Sequence, residues 1–393
     1  MHTVIVGGGF AGVKAALEIS KKQLGKITLI SDQPYFLHHA TLYATATGRS
    51  TGESVVPLSD IFANHHDVDV VLDTMESIDA KQHIVVGKEK NYHYDNLVVA
   101  IGVVTTYFGI KGMDKHSFGI KTLDEVSEFK NHIKSEILSD KKLDTNYVII
   151  GAGPTGVELA GALQAYLLEL CDTHMVKHAG VNITLVEAAP KILPRSSDTA
   201  SKKVQKRLEK LGVTVLVNHK VEALSDRTIM IDGKRIPTHT AVWTSGVANH
   251  PFFATQPEIF TLLDKGSRPV IVDDHMQAYE DIYVLGDNAA VPNAGVAWTA
   301  LRSAIFIADH LARKMTQRPF KKYHYPKPTE SFPIGDGWAY TEWRGIYAAG
   351  KTGYLLRRFM EKKNYLALLP RTQAVGAWKS HTIRESDVVT DTN

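Results

Sequence analysis

One cysteine, Cys171, occurs in 393 residues. A lone thiol allows no intrachain disulfide, no Cys-x-x-Cys redox pair and no four-ligand zinc cluster, so no metal site is expected and an intracellular setting is. Long apolar runs are also missing. A membrane-spanning helix needs about 18 or more consecutive apolar residues, whereas the longest candidate, 296–312, is broken by Arg302, Asp309 and His310. No transmembrane helix is expected. Thr3 to Val6 already reads as an apolar strand, which leaves no room for a basic leader, a hydrophobic signal core and a cleavage site; secretion by the usual route is not expected. Charge of one sign is scarce too. With 45 basic against 42 acidic residues the net charge is +3, too balanced for a nucleic-acid protein. What the chain has is 44% hydrophobic residues over its full length, enough for two or three cores in a multidomain globular protein.

Two glycine-rich turns stand at strand-to-helix junctions. Thr3-Val4-Ile5-Val6 reads as a buried parallel strand, followed by Gly7, Gly9 and Gly12 in GxGxxG spacing and then Ala15, Ala16, Leu17 and Ile19 at helical spacing. The first glycine suits a tight turn, the second lets backbone approach a pyrophosphate, and the third lets the helix pack on the strand; the helix start offers free N–H groups to the anion. The next strand, Ile27 to Ile30, ends at Ser31-Asp32, and Asp32 lies 20 residues beyond Gly12, where an acid would meet a ribose hydroxyl. The pattern recurs in Tyr147 to Ile150, then Gly151, Gly153 and Gly156, a helix through Val157, Leu159, Ala160 and Leu163, and a strand from Val181 to Val186 that ends in Glu187. An extra stretch, Leu167 to Gly180, lengthens this second unit. Glu187 can accept from both hydroxyls of an unphosphorylated ribose and would repel a 2′-phosphate, which favours NADH over NADPH, a preference that nearby Lys191 and Arg195 soften. Recurrence within one chain points to an α/β protein with two Rossmann-like dinucleotide-binding domains.

Four segments in this order resemble the two-dinucleotide flavoprotein reductases and, more closely, the type II NADH:quinone oxidoreductases: Gly7-Gly8-Gly9-Phe10-Ala11-Gly12, residues 96–102 ending in Ala100-Ile101-Gly102, Gly151-Ala152-Gly153-Pro154-Thr155-Gly156-Val157-Glu158, and Tyr283-Val284-Leu285-Gly286-Asp287. The resemblance implies FAD on the first turn and NAD(H) on the second. It implies crossings between domains at the Ala100–Gly102 segment and near Gly246, with Asp287 accepting from the ribityl chain of FAD. It also implies an FAD domain over 1–110 and 247–325 split around an NAD(H) domain over 111–246, with a C-terminal membrane-associating region and tail over 326–393. A helix start near Ala297 is expected to direct N–H groups at the flavin pyrimidine.

With both nucleotides bound, nicotinamide would deliver a hydride to flavin, which would pass electrons onward; the protein stacks, tunes and admits. Glu158 matches a family glutamate near the nicotinamide and acceptor region. It is either a proton-relaying carboxylate or a dipole partner of its helix. The single cysteine excludes disulfide, sulfide and peroxide relatives, and Leu37-His38-His39-Ala40 stands where a peroxidase would carry its cysteine. On the acceptor side the likeness departs, because Trp298 and Arg302 replace the family's quinone-site glutamines. An indole and a guanidinium can still stack on and bond a planar, carbonyl-bearing ring. A second departure is Ser31 in the usual acidic slot, so that either Ser31 or Asp32 meets the adenosine ribose.

From Trp338 to His381, eight lysines and arginines face two glutamates among many aromatics. Residues 354–369 alternate apolar and basic side chains, which suits either a helix in the interface of an anionic membrane or one docked on the protein body. Type II enzymes typically end in a membrane-binding element. Lys351 is a candidate at the acceptor pocket, and the last dozen residues read as a disordered tail. The resulting expectation is an enzyme on the cytoplasmic face of the cell membrane that passes electrons from NADH through FAD to menaquinone or ubiquinone without pumping protons, as a homodimer. A soluble NADH oxidase or ferredoxin-type reductase, and a flavin-binding redox switch with little turnover, are the alternatives.

Overall fold

The computed structural model describes residues 1–140, 143–176, 180–325 and 327–385. Most of the expected tail, 386–393, and part of the stretch inserted after Leu167, 177–179, lie outside the described residues.

Two sheets dominate. The first runs in the order Gln277–Tyr279, Ile282–Val284, Asn96–Val99, His2–Val6, Lys26–Ser31, Val68–Leu72. All its neighbours are parallel except the antiparallel first pair. Its central strands are β-branched and apolar and read as continuous rather than alternating runs, because they are covered by helices and by a smaller, antiparallel sheet, Met75–Asp79, Ile84–Gly87 and Asn91–His93, whose Ile78, Val85 and Tyr92 join the same core. Helices Phe10–Lys21 and Ala297–Met315 lie against it, burying Val13, Ala16 and Ile19 with Ala304, Ile307 and Leu311. The second sheet, Ser117–Phe118, Thr240–Trp243, Asn146–Ile150, Asn182–Glu187, Val213–Val217, is parallel throughout. Strand His2–Val6 and strand Asn146–Ile150 thus hold equivalent inner positions, each feeding a glycine turn at its C-terminal end, where ligands of open α/β sheets bind.

The chain passes between the sheets twice, and the two passages pair. Val103–Thr105, just after Gly102, lies antiparallel to Val247–Asn249, just after Gly246. The Trp243 indole N–H donates to the Thr106 carbonyl at 3.1 Å, closing the crossing. Beyond Ala297–Met315 come an antiparallel three-stranded sheet, Glu330–Pro333, Ala339–Trp343 and Ile346–Gly350, and the helices Lys351–Leu368 and Arg371–Lys379. Helix Lys351–Leu368 bridges the two halves: Arg357 approaches Glu158 on the second unit, while Lys14 on the first donates to Ala367. No described helix is long and apolar enough to cross a membrane.

Candidate active site

The first glycine turn is shaped by contacts that tolerate no side chain. Gly7 sits at φ +117°, and a Cβ there would lie 2.2 Å from the Ala100 carbonyl oxygen; one on Gly12 would lie 1.9 Å from that of Gly7. Gly9 faces open space instead, with nothing within 4 Å of its Cβ position. Helix Phe10–Lys21 starts there, with Ala11 buried, no side-chain cap and no acid in the first turn. Its first N–H groups are therefore left for an anion in that space, as a pyrophosphate requires. At the next strand end the two candidates separate. Ser31 is buried, its hydroxyl donating to the Gln33 carbonyl at 2.8 Å and accepting from the Gln33 N–H, whereas Asp32 is exposed.

The Gly286–Asn288 turn closes this site from the other side. Buried Asn288 accepts from the Gly102 N–H at 2.8 Å and donates to the carbonyl oxygen of Gly102 and to Asn249 Oδ1. One amide thereby binds the Gly-Asp turn to both passages of chain. Asp287 accepts from the Gly295 N–H at 2.9 Å, and burial pushes its carboxyl above its ordinary value against the pull of that hydrogen bond and of Lys121.

The second turn repeats the first in backbone and differs in its acid. Gly151 has φ +103°, a Cβ on Gly156 would lie 1.9 Å from the Gly151 carbonyl oxygen, and Gly153 again faces open space. Pro154 and Thr155 open helix Pro154–His174, where Pro at the first position gives up an N–H that has no helical partner. Glu187 accepts from the Ala152 N–H at 2.8 Å and from the Ala189 N–H at 2.9 Å, one on each carboxylate oxygen. Each oxygen keeps a lone pair for a ribose hydroxyl. Lys191 turns away to Asp198 and the Ser196 carbonyl.

Between the units lies a buried ionic group. Glu158, 6% exposed, is pushed up to about 8 by burial, with Arg357 pulling down and Glu361 adding to the rise. Arg357 Nη1 is 4.0 Å from Glu158 Oε1, and its Nε is 2.6 Å from Glu361 Oε1. Arg358 pairs with Glu361 and stands 3.6 Å from Glu53, which accepts from His381 Nδ1 at 2.8 Å. Burial raises the Glu361 carboxyl, and the two arginines outweigh it and hold it below its ordinary value. His38 is buried among Phe10, Phe36 and Tyr365, which lowers it to about 4 and keeps it neutral.

Trp298 and Arg302 lie one turn apart on the exposed side of helix Ala297–Met315, with Trp298 43% exposed and the guanidinium 5.8 Å from the indole centroid. The start of that helix at Ala297 carries neither a side-chain cap nor an acid. Lys351 is exposed at the start of its own helix. Among the described residues no hydrogen bond or ion pair joins Trp298, Arg302 or Lys351 to the Glu158 group. Sequence reasoning missed Asn288, Glu53, Arg357 and Glu361 as members of the site. The spacing of Arg357 and Glu361 signals a helical pair, but nothing in it says that the pair faces inward.

Comparison with known proteins agrees with this geometry. Residues 1–304 match the family model described as pyridine nucleotide-disulphide oxidoreductase. The type II NADH:quinone oxidoreductase NdhA of Mycobacterium tuberculosis is 30% identical over 82% of this chain and 75% of its own length. The type II NADH:quinone oxidoreductase of Staphylococcus epidermidis is 27% identical over 92% and 94%. In fold the chain is similar to NDH2 of Plasmodium falciparum, solved in complex with NADH, with a TM-score of 0.84 at 15% identity over 100% of this chain and 98% of that one.

Proposed function

The chain belongs to the pyridine nucleotide-disulphide oxidoreductases and within them to the type II NADH:quinone oxidoreductases, and from that premise we propose that it oxidises NADH and reduces a quinone through FAD without pumping protons. The observation that carries the reading is the pair of anion-ready glycine turns with Glu187 held on the second. FAD, when bound, accepts a hydride from NADH and releases two electrons to the acceptor.

The chain's own groups divide the remaining work. The turn at Gly7, Gly9 and Gly12 and the helix start at Phe10 hold the FAD pyrophosphate, Asp32 the adenosine ribose, and Asp287 the ribityl chain, with Asn288 keeping Asp287 in register. Gly151 to Gly156 and Glu187 hold NADH. Glu158 holds a proton near the acceptor. Trp298 and Arg302 offer a stacking face and hydrogen-bond donors to a quinone ring, and the family resemblance adds Lys351 to the acceptor side.

Helix Lys351–Leu368 supports a membrane-borne acceptor, whether menaquinone or ubiquinone. Its polarity is inverted: Arg358, Glu361 and Tyr365 point inward, while Leu355, Leu356, Phe359 and Leu366 are exposed beside Lys363. An apolar outer face flanked by a cation suits an anionic lipid interface. This correction to the simple picture of all cations facing headgroups arises because Arg357 and Arg358 are spent on buried carboxylates. The reading places the enzyme peripherally on the cytoplasmic face of the membrane; a homodimer is implied by the family resemblance alone. The test is a visible spectrum of the purified protein under anaerobic conditions. NADH is expected to bleach the flavin and a short-chain quinone to restore it; bleaching with no quinone-dependent return overturns the proposal.

A further inference from the structure

Lys121 is an anomaly in the cleft between the two units. Its ammonium nitrogen is buried and, among the described residues, has no hydrogen-bond partner. It follows the short strand Ser117–Phe118 of the second sheet and precedes Thr122, the capping residue of helix Leu123–Ser135. Its backbone is pinned, since the Lys121 N–H donates to Glu125 Oε2 at 2.5 Å within the capping box that Thr122 and Glu125 form. The side chain is thus launched from a rigid point. The charges it feels lie on both sides of the cleft: Asp287 on the first unit, then Glu125 on its own. His39, on the first unit, feels the lysine in turn.

An ammonium offers three donors, and burying one with none of them used is unfavourable, because the lost hydration is not replaced. Neither nearby carboxylate relieves it. Asp287 spends one oxygen on Gly295 and Glu125 spends one on the backbone of residues 121 and 122. A group of opposite charge that enters the cleft beside Asp287 would satisfy it. We infer that Lys121 is an FAD-binding residue, reaching across from the NAD(H) unit to donate to oxygens of the cofactor's ribityl and pyrophosphate arm. The inference rests on FAD occupying the first turn. Its consequence is that the second unit helps to hold the first unit's cofactor, so FAD binding and the relative placement of the two units are linked.

The test compares Lys121→Met and Lys121→Arg with the unaltered protein after removal of flavin. Two quantities are read: FAD affinity from the quenching of flavin fluorescence, and the melting temperature of the flavin-free protein. Loss of a charge-assisted hydrogen bond predicts FAD binding weakened about tenfold or more in Lys121→Met and largely restored in Lys121→Arg. Flavin-free Lys121→Met is expected to melt no lower than the unaltered protein, because the substitution removes an unpaired buried charge. A lysine that only props up the fold gives the opposite pattern, a lowered flavin-free melting temperature with FAD affinity unchanged, and that result overturns the inference. If the unaltered protein takes up no FAD, the cofactor assignment itself fails and the inference falls with it.

Discussion

The two glycine turns are near copies in backbone, yet they sit in different company. Each puts a glycine at strongly positive φ after an inner strand, packs a second so closely that a Cβ on it would lie 1.9 Å from the first one's carbonyl oxygen, and leaves the middle one open. The first is closed over by Asn288, which binds the Gly-Asp turn to both chain crossings, so a ligand held there is enclosed by several segments. The second is backed by Thr244, whose hydroxyl donates to the Gly151 carbonyl at 2.8 Å, and carries Glu187, with its two backbone donors, at its far strand end. A resident cofactor suits the first and an exchanging substrate the second. On the proposed function, near-identical turns serve a tightly held and a transient nucleotide, and the surroundings make the difference.

The sharpest way to break the symmetry is to put a methyl group at equivalent points. Gly12→Ala and Gly156→Ala meet the same backbone clash, yet the outcomes should differ in kind. Gly12→Ala is expected to purify without flavin, its FAD affinity reduced by at least about a hundredfold. Gly156→Ala should purify yellow but fail to bleach with NADH. Flavin content and anaerobic spectra read both, and matching phenotypes would mean that the turns do not divide the nucleotides. A smaller effect is expected at Glu187. Changing it to Gln keeps an acceptor and removes the charge, which should raise KM for NADH about tenfold and narrow the preference over NADPH, while FAD content stays unchanged. Similar in size but read by a different assay is Phe359→Glu, on the exposed face of helix Lys351–Leu368. Burying a phenylalanine is worth about 1.5–3 kcal/mol, so binding to anionic vesicles should fall about tenfold or more in a sedimentation assay, with NADH bleaching intact.

How much of this was legible follows from how local each requirement is. Gly7, Gly9 and Gly12 answer to sterics within a few residues, so spacing alone exposes them, and strand ends place Asp32 and Glu187 by the length of the intervening helix. Asn288 is different. Its partners Gly102 and Asn249 are remote in sequence, and an Asn after Gly-Asp reads as ordinary turn chemistry. Helix Lys351–Leu368 misleads in another way. Periodicity shows that Arg358, Glu361 and Tyr365 share a side, but it cannot tell which side is inward, and the usual rule that polar faces meet water points the wrong way here. The rule fails because Glu158 and Glu53, supplied by distant segments, give those arginines buried partners. Lys121 was invisible for the same reason, since only the assembled cleft leaves its ammonium alone.

The finest comparison sets the donor half of the cycle against the acceptor half, and Glu158 is where they separate. Reducing a quinone to a quinol takes two electrons and two protons, while NADH contributes a hydride; one proton must come from elsewhere. A carboxyl raised to about 8 by burial still holds its proton at neutral pH and can give it up to an acceptor. Oxidation of reduced flavin by quinone should therefore slow as pH rises through about 8, and Glu158→Gln should flatten that limb, whereas bleaching by NADH should keep its pH profile. Stability provides an independent reading with a definite sign. The folded protein keeps on Glu158 a proton that the unfolded chain releases near the ordinary value of 4.5. The stabilising contribution is fully present below about 4.5 and is lost as pH rises towards 8. Glu158→Gln should remove that slope. If the variant changes the stability slope and leaves the quinone limb untouched, Glu158 is a buried structural acid and the proton reaches the acceptor by another group.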